Sequence, residues 1–499
     1  MRNVTKAIFI ESLHCQVMAW KMRSGQLDGE LSIGERFRME QGEEIGRRAR
    51  LLFPDGLLVE EKGNSALMRT KQLMAEPAVK SIFEAYFLVG QFVARADILL
   101  RKADGWHMLE VKSSAKEKKE YLDDMAYTTM LIQDSEVNVS RISLVIISKD
   151  FRLGMDNERL FTIIDHTGDV LDRAEELKEM RETVDELTSV LEQPEGQLTL
   201  ECKKCPRFRD ELSGNADNHI FDLPRLSKKK FAELSQMKIT EIENIPADYR
   251  LTAHQEMVRK SVNSGEIFAK ASLGSELDKL TWPIYYLDFE TVMTAIPLYP
   301  EIAPYTQVPF QYSIHRSAGP QGATEHFEYL ANHEKDCRRE LAENLIRDLG
   351  NFGSVMMYTP FEKRIIRELA ETYPDLAVEL NKIISRLDDL EAIIRKNFYH
   401  PDFHGSTSIK KTLPALVPEL SYENLEIGEG GAALSEFAYM AMGKYGRDEV
   451  QKKRKDLLEY CKLDTLAMVK LHERLMDFTR SSSNGDRISP SSILKTAYP

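Results

Sequence analysis

Two short carboxylate patterns could carry chemistry. Asp288-Phe-Glu290 lies within IYYLDFETV (284–292), and Tyr460-x3-Asp464 lies within DLLEYCKLDTLAMVKL (456–471). In an extended chain residues i and i+2 share a face, so Asp288 and Glu290 point the same way from a strand that is otherwise apolar. Tyr460 and Asp464, at i and i+4, share one face of a helix. Three carboxylates converging on a sheet edge can hold two divalent ions, Mg²⁺ or Mn²⁺. Such a pair stabilises both the attacking and the leaving oxygen of a phosphoryl displacement. The Tyr460 hydroxyl could position the attacking water.

A further constellation is Asp97, Glu110 and Lys112, in ADILL (96–100) and HMLEVKSS (107–114). Glu110 and Lys112 share a strand face, and a hairpin at Asp104-Gly105 can return Asp97 beside them. Two carboxylates bind a hard cation through oxygen, and the lysine can orient or help deprotonate water beside a phosphodiester. E-x-K alone is common; ionic residues embedded in apolar strand sequence are less so, because their burial is costly.

These residues need elements to hold them. Residues 1–200 read as one α/β unit: a helical pattern with Phe37, Ile45 and Ala49, strand-like runs at 87–100 and 105–112, a buried strand at 142–148, and an amphipathic helix over 170–192. Residues 201–275 form a bridging region with Cys202-x2-Cys205 and the basic stretch Lys228-Lys229-Lys230. A second α/β unit, 276–480, opens with the 284–292 strand and closes with a helix over 448–478. Residues 481–499 are expected to be a mobile tail.

The first unit resembles the PD-(D/E)xK core of RecB-like nucleases, including the CRISPR-associated adaptation nucleases, through ADILLRKADGWHMLEVKSS and F37-x4-G42-x2-I45-G46-x2-A49. In many of these a metal-binding histidine falls near Gly46; here Glu44 or Glu84 would have to replace it. Thr128 and Thr129 stand where a Gln and a Tyr are usual. Several such nucleases also hold an iron–sulfur cluster, and Cys15, Cys202 and Cys205 resemble its ligand layout. A three-cysteine cluster, Zn²⁺ completed by His14, or a leftover Cys-x2-Cys pair all remain open.

The second unit resembles the DEDDy subclass of DnaQ-like (RNase H-like) 3′→5′ exonucleases. That resemblance implies Asp288 and Glu290 on the first strand and Asp464 on the last helix. It also implies a middle acidic residue, either Glu362 in VMMYTPFEKRII (355–366) or Asp389 in RLDDLEAI (386–393). The segments 304–315, 398–427 and 457–465 resemble an uncharacterised bacterial family that joins a RecB-like half to a DnaQ-like half. The resemblance suggests DNA repair or anti-phage defence. Ser408, Lys410 and Lys411, ahead of a helix, could contact backbone phosphates, as could Lys228, Lys229 and Lys230 in a helical-hairpin-like stretch (223–246).

The implied activity is a metal-dependent nuclease acting on DNA or RNA, with a second site in the first unit that is either active or only holds the strand. The alternative is a non-catalytic nucleic-acid-binding subunit that keeps nuclease folds as a scaffold. The formal net charge of −13 over 499 residues excludes indiscriminate whole-surface binding of nucleic acid. Residues 203–230, however, carry eight Lys/Arg against four Asp/Glu. Five cysteines do not make a disulfide scaffold, and no apolar run suits a membrane span, so a reducing cytoplasm is expected.

Overall fold

Gly90 adopts φ +58° and splits the apolar run 87–100 in two, because the left-handed region favours a residue without Cβ. The run is therefore a tight hairpin between two antiparallel strands and not a single strand. The computed structural model describes residues 1–483 apart from Asp28, Pro206, Gly214, Asn215, Gln321, Glu423 and Asn424. The expected tail beyond Ser483 lies outside the described residues. The chain is mixed α/β and divides into two compact units, Met1–Cys202 with Met293–Thr306, and Lys203–Val292 with Gln307–Pro499.

The first unit is built on a six-stranded sheet in the order β1 (Leu57–Leu58), β2 (Ser81–Val89), β3 (Phe92–Lys102), β4 (Gly105–Val111), β5 (Val139–Ile147) and β6 (Phe161–Asp165). Strands β2, β3 and β4 are antiparallel neighbours, whereas β4 and β5 run parallel. Parallel neighbours need a crossover, and helix α5 (Glu120–Asp134) supplies it. Before the sheet come α1 (Lys6–Ser12), α2 (Gln16–Ser24) and α3 (Ile33–Arg50); α4 (Gly63–Ala75) links β1 to β2 and α6 (Thr167–Ser189) follows β6. Ser32 and Glu35 close a capping box that starts α3 where the apolar periodicity begins. One face of the sheet buries a core of Phe9, Ala85, Leu99, Met108, Tyr127 and Leu131. On a smaller core, Ala295, Ile296 and Tyr305 from 293–306 pack with Ile45, Ile147 and Phe151.

The second unit begins with α7 (Phe208–Glu211), α8 (Lys228–Gln236) and α9 (Ala253–Ser264), then β7 (Phe268–Ala269) and α10 (Ser272–Leu277). Lys238 takes φ +57° at the turn after α8, the position where a glycine would be favoured, and the chain then makes only a short 3-10 turn, Ile242–Asn244. The five-stranded sheet has β8 (Ile284–Val292) at its centre, in the order β10 (Thr324–Leu330), β9 (Val308–Ser317), β8, β11 (Val355–Met357), β12 (Leu387–Asp389). β8 is antiparallel to β9 and parallel to β11. The helices α11 (Arg338–Leu349), α12 (Phe361–Thr372), α13 (Ala377–Ile384) and α14 (Leu390–Asn397) surround β11 and β12 in sequence. After β13 (Phe398–Tyr399), which pairs with β7, come α15 (Ile409–Leu416), α16 (Gly430–Ala441) and the long α17 (Arg447–Ser483). Leu287, Phe289, Tyr312, Leu345 and Ile365 form the core on one side of β8. Among the described residues no helix is long and apolar enough to cross a membrane.

Candidate acidic site of the second unit

Period-two alternation sends Leu287 and Phe289 into the core, so Asp288 and Glu290 leave the opposite face of β8. Helix α17 brings Asp464 to them. Ligand oxygens of Asp288, Glu290 and Asp464 lie within 4.8 Å of one another. Among the described residues this is the group of three or more metal-capable side chains that converges. No disulfide joins the five cysteines, and Cys15, Cys202 and Cys205 are not in such a group.

Glu290 is buried, and Asp288 and Asp464 are partly buried. Burial, then the negative charge of their neighbours, pushes Asp288 and Glu290 well above the ordinary carboxylate range. Burial lifts Asp464 less, to about 6, because the Tyr422 and Tyr460 hydroxyls hydrogen-bond to it. Tyr422 Oη donates to Asp464 Oδ1 at 2.6 Å. On Asp288 the Cys461 thiol donates to Oδ2 at 3.5 Å, and burial keeps that thiol protonated. Burial raises both tyrosines strongly, so their hydroxyls stay donors at neutral pH and neither is a base.

Glu362, in the first turn of α12, is 3% exposed. Its carboxyl receives its own backbone N–H and that of Thr359, while Oε2 is buried without a partner. Burial lifts it to about 8, and its charge acts on Asp288 and Glu290. Asp389, at the end of β12, caps α14 by accepting the Ala392 N–H at 2.8 Å, and it raises Glu362 in turn. Of the two candidates for the middle acid, Glu362 acts on Asp288 and Glu290, whereas Asp389 acts on Glu362 and has one oxygen occupied as a helix cap. Lys410, on α15, is the cation that favours the charged forms of Glu290 and Asp464.

The donor set suits hard divalent cations. It is all oxygen and rich in carboxylates, and Glu362, whose charge acts on two of the three, keeps one carboxylate oxygen without a partner. Without a cation, like charges at this spacing cannot all ionise.

In the first unit the register sets Ile98 opposite Leu109, which brings Asp97 level with Glu110. Asp97 Oδ2 accepts the Val111 N–H at 2.7 Å, and burial with the neighbouring Glu110 charge raises its carboxyl. Burial alone would raise Glu110 too, but Lys6 and Lys112 overcome it and hold it below the ordinary range. Lys6 contacts Glu110 Oε1 and Lys112 approaches the same oxygen at 2.9 Å; Lys112 also pairs with Asp124. Two carboxylates thus keep Lys112 an ammonium. Glu84 interrupts the β2–β3 pairing with φ +56° beside Asp97. It lines a cavity of about 290 Å³ with Gly46, Arg50 and Asp97, whereas Glu44 is tied to Arg47 and Arg48.

The basic candidates separate. Lys230 reaches the Arg250 carbonyl and sits over the Tyr249 ring at 5.5 Å; Lys228 and Lys229 are exposed. Ser408 is the N-cap residue of α15, without a side-chain cap bond. Lys6, Asp124, Tyr422 and Cys461 carry no local signal in the sequence and enter only through the fold.

The family described as a domain of unknown function (DUF2779) matches residues 285–408, about a quarter of the chain. The matched span takes in Asp288, Glu290, Glu362 and Asp389 and stops before Asp464. No curated protein matches the chain.

Proposed function

We propose that the second unit is a metal-dependent phosphodiesterase of the DnaQ-like kind, a 3′→5′ exonuclease acting on DNA or RNA. The observation that carries this reading is the convergence of Asp288, Glu290 and Asp464, from the first strand of the sheet and the last helix, with the buried Glu362 charge acting on two of them. Two Mg²⁺ or Mn²⁺ ions held there would supply the charge that stabilises the attacking and leaving oxygens. Asp288, Glu290, Asp464 and Glu362 would hold them. Tyr460 stays protonated and takes no proton; with Asp464 engaged by a cation, its hydroxyl would be free to orient a water or a phosphate oxygen. Lys410 offers a positive charge to a phosphate next to the carboxylates. In the reaction water adds to phosphorus, the bond to the leaving oxygen breaks, and that oxygen takes a proton.

For the first unit we propose a PD-(D/E)xK-type fold whose site holds a strand more readily than it cleaves one. What favours this is the Glu110 carboxylate, occupied by Lys6 and Lys112. The test uses purified full-length protein with Mn²⁺ and end-labelled single- and double-stranded DNA and RNA. Wild type is expected to shorten the substrate, Asp288→Ala to be inactive and Lys112→Ala to remain active. Absence of cleavage by wild type, or equal cleavage by Asp288→Ala, refutes the exonuclease reading.

A further inference from the structure

The second unit also contains a cavity of about 690 Å³ between residues 203–222 and the 404–411 segment. Gly405 takes φ +76°, and a Cβ there would overlap the Asp222 backbone, so only glycine lets these two stretches meet. Lys203, Arg209 and Lys411 give the wall its positive character, against the carboxylates of Asp217 and Asp222, and His404 adds an imidazole. Ser406 adds a hydroxyl, and Phe208 and Phe221 an apolar side.

The polar groups are only partly satisfied by the protein. Asp222 is 6% exposed and pairs through Oδ1 with Arg209, yet its Oδ2 is buried with no partner. The His404 Nδ1 is likewise buried and unpartnered. Lys203 gives one hydrogen bond, to the Leu223 carbonyl at 3.1 Å, and the Lys411 ammonium has no partner among the described residues. A cavity with an unpaired lysine, a second lysine bonded only to a carbonyl, and a carboxylate oxygen lacking its donor calls for a ligand that bears an anion and an N–H or O–H group together. A nucleotide has both, and the volume is in the range of small-ligand sites.

We propose that this cavity binds a nucleotide. Lys203, Lys411 and Ser406 take its phosphate, and a base amino group or a sugar hydroxyl donates to Asp222 Oδ2. The nucleotide is either part of a nucleic-acid strand or free. Lys411 follows Lys410 on α15, so a strand nucleotide held here lies near the acidic cluster. The exonuclease reading is needed only for that source; the binding itself stands without cleavage.

The experiment measures binding by full-length protein in EDTA at fixed salt, using fluorescence anisotropy with a labelled single-stranded oligonucleotide. The four deoxynucleoside monophosphates serve as competitors. Lys203→Gln/Lys411→Gln is compared with wild type and with Lys335→Gln/Lys382→Gln, which removes the same charge at exposed positions elsewhere in the unit. Thermal melting reports whether each variant folds; if the first pair melts early, Lys411→Glu, at an exposed position, replaces it. The cavity pair is expected to weaken oligonucleotide binding at least about tenfold, and the control pair less than about threefold. Competition by monophosphates against wild type, lost in the cavity pair, identifies the free nucleotide as ligand; no competition with weakened oligonucleotide binding identifies the strand. Equal losses in the two pairs, or a folded cavity variant that binds as wild type does, overturn the proposal. Cleavage with Mn²⁺ is scored separately, so failure of the exonuclease reading leaves the binding result intact.

Discussion

Glu362→Gln separates the charge of the middle acid from its shape. Burial lifts this carboxyl from its ordinary 4.5 to about 8. A carboxyl raised on folding costs nothing below about pH 4.5, where both folded and unfolded chains are protonated. The penalty grows as pH rises and levels off above about pH 8. For this one group it amounts to about 1 kcal/mol at pH 5.5 and about 4 kcal/mol at pH 8. Glutamine copies the protonated form and does not titrate, so the stability difference between variant and wild type should swing by about 3 kcal/mol between those pH values in favour of glutamine. Constant costs of the amide, including the backbone bonds it alters, cancel in that comparison. The assay is urea unfolding in EDTA at both pH values, following the transition that Mn²⁺ moves. Added Mn²⁺ should stabilise wild type more than the variant at pH 8, since binding to the folded state alone adds RT ln(1 + [L]/Kd). A swing under about 1 kcal/mol would refute the placement of Glu362 as a desolvated, charge-bearing member of the cluster.

Other substitutions test separate parts of the structure. Asp288→Asn should reduce Mn²⁺-dependent cleavage at least about a hundredfold while raising the melting temperature in EDTA at pH 8, because it removes a buried like charge. Tyr460→Phe should lower kcat up to about a hundredfold and leave the fold intact, read by single-turnover kinetics. Lys6→Met should destabilise the first unit by about 1–3 kcal/mol, since Lys112 still partners Glu110, and Glu110→Gln added to it should recover part of the loss in a double-mutant cycle. Gly405→Ala should cost at least about 2 kcal/mol in chemical denaturation, from the left-handed backbone and the overlap with Asp222.

The strand 284–292 and the closing helix can be read from the sequence because β8, covered on both faces, is a nearly unbroken apolar run, and α17 repeats its apolar positions at helical spacing. The two carboxylates of D-x-E interrupt that run, which is what marks them. The hairpin at Asp104-Gly105 is legible for the same local reason, its turn chemistry. The features that escape are set by tertiary contact. Gly90 looks like part of one strand because apolar residues continue on both sides of it. Lys6 meets Glu110 across 104 residues, and Tyr422 meets Asp464 across 42, distances over which no periodicity carries information. The exit of 293–306 into the first unit leaves no mark either, since Ala295, Ile296 and Tyr305 read like any loop with a few apolar residues.

That exit governs how the protein can be made and cut. The first unit's smaller core stays open beside Ile45 and Phe151 until residue 306 has been synthesised. Translation of the intervening hundred or so residues takes roughly 5–20 s, a window in which a nascent chain displays uncovered apolar surface. A truncation ending at Cys202 would leave that surface exposed permanently, and one starting at Lys203 would carry a segment with nothing of its own to pack against. The chain passes between the units at 202/203, 292/293 and 306/307, so a single protease nick at the first of these leaves them covalently joined. The second of these crossings begins three residues after Glu290, so the strand that bears the acidic site runs without a break into a segment of the first unit.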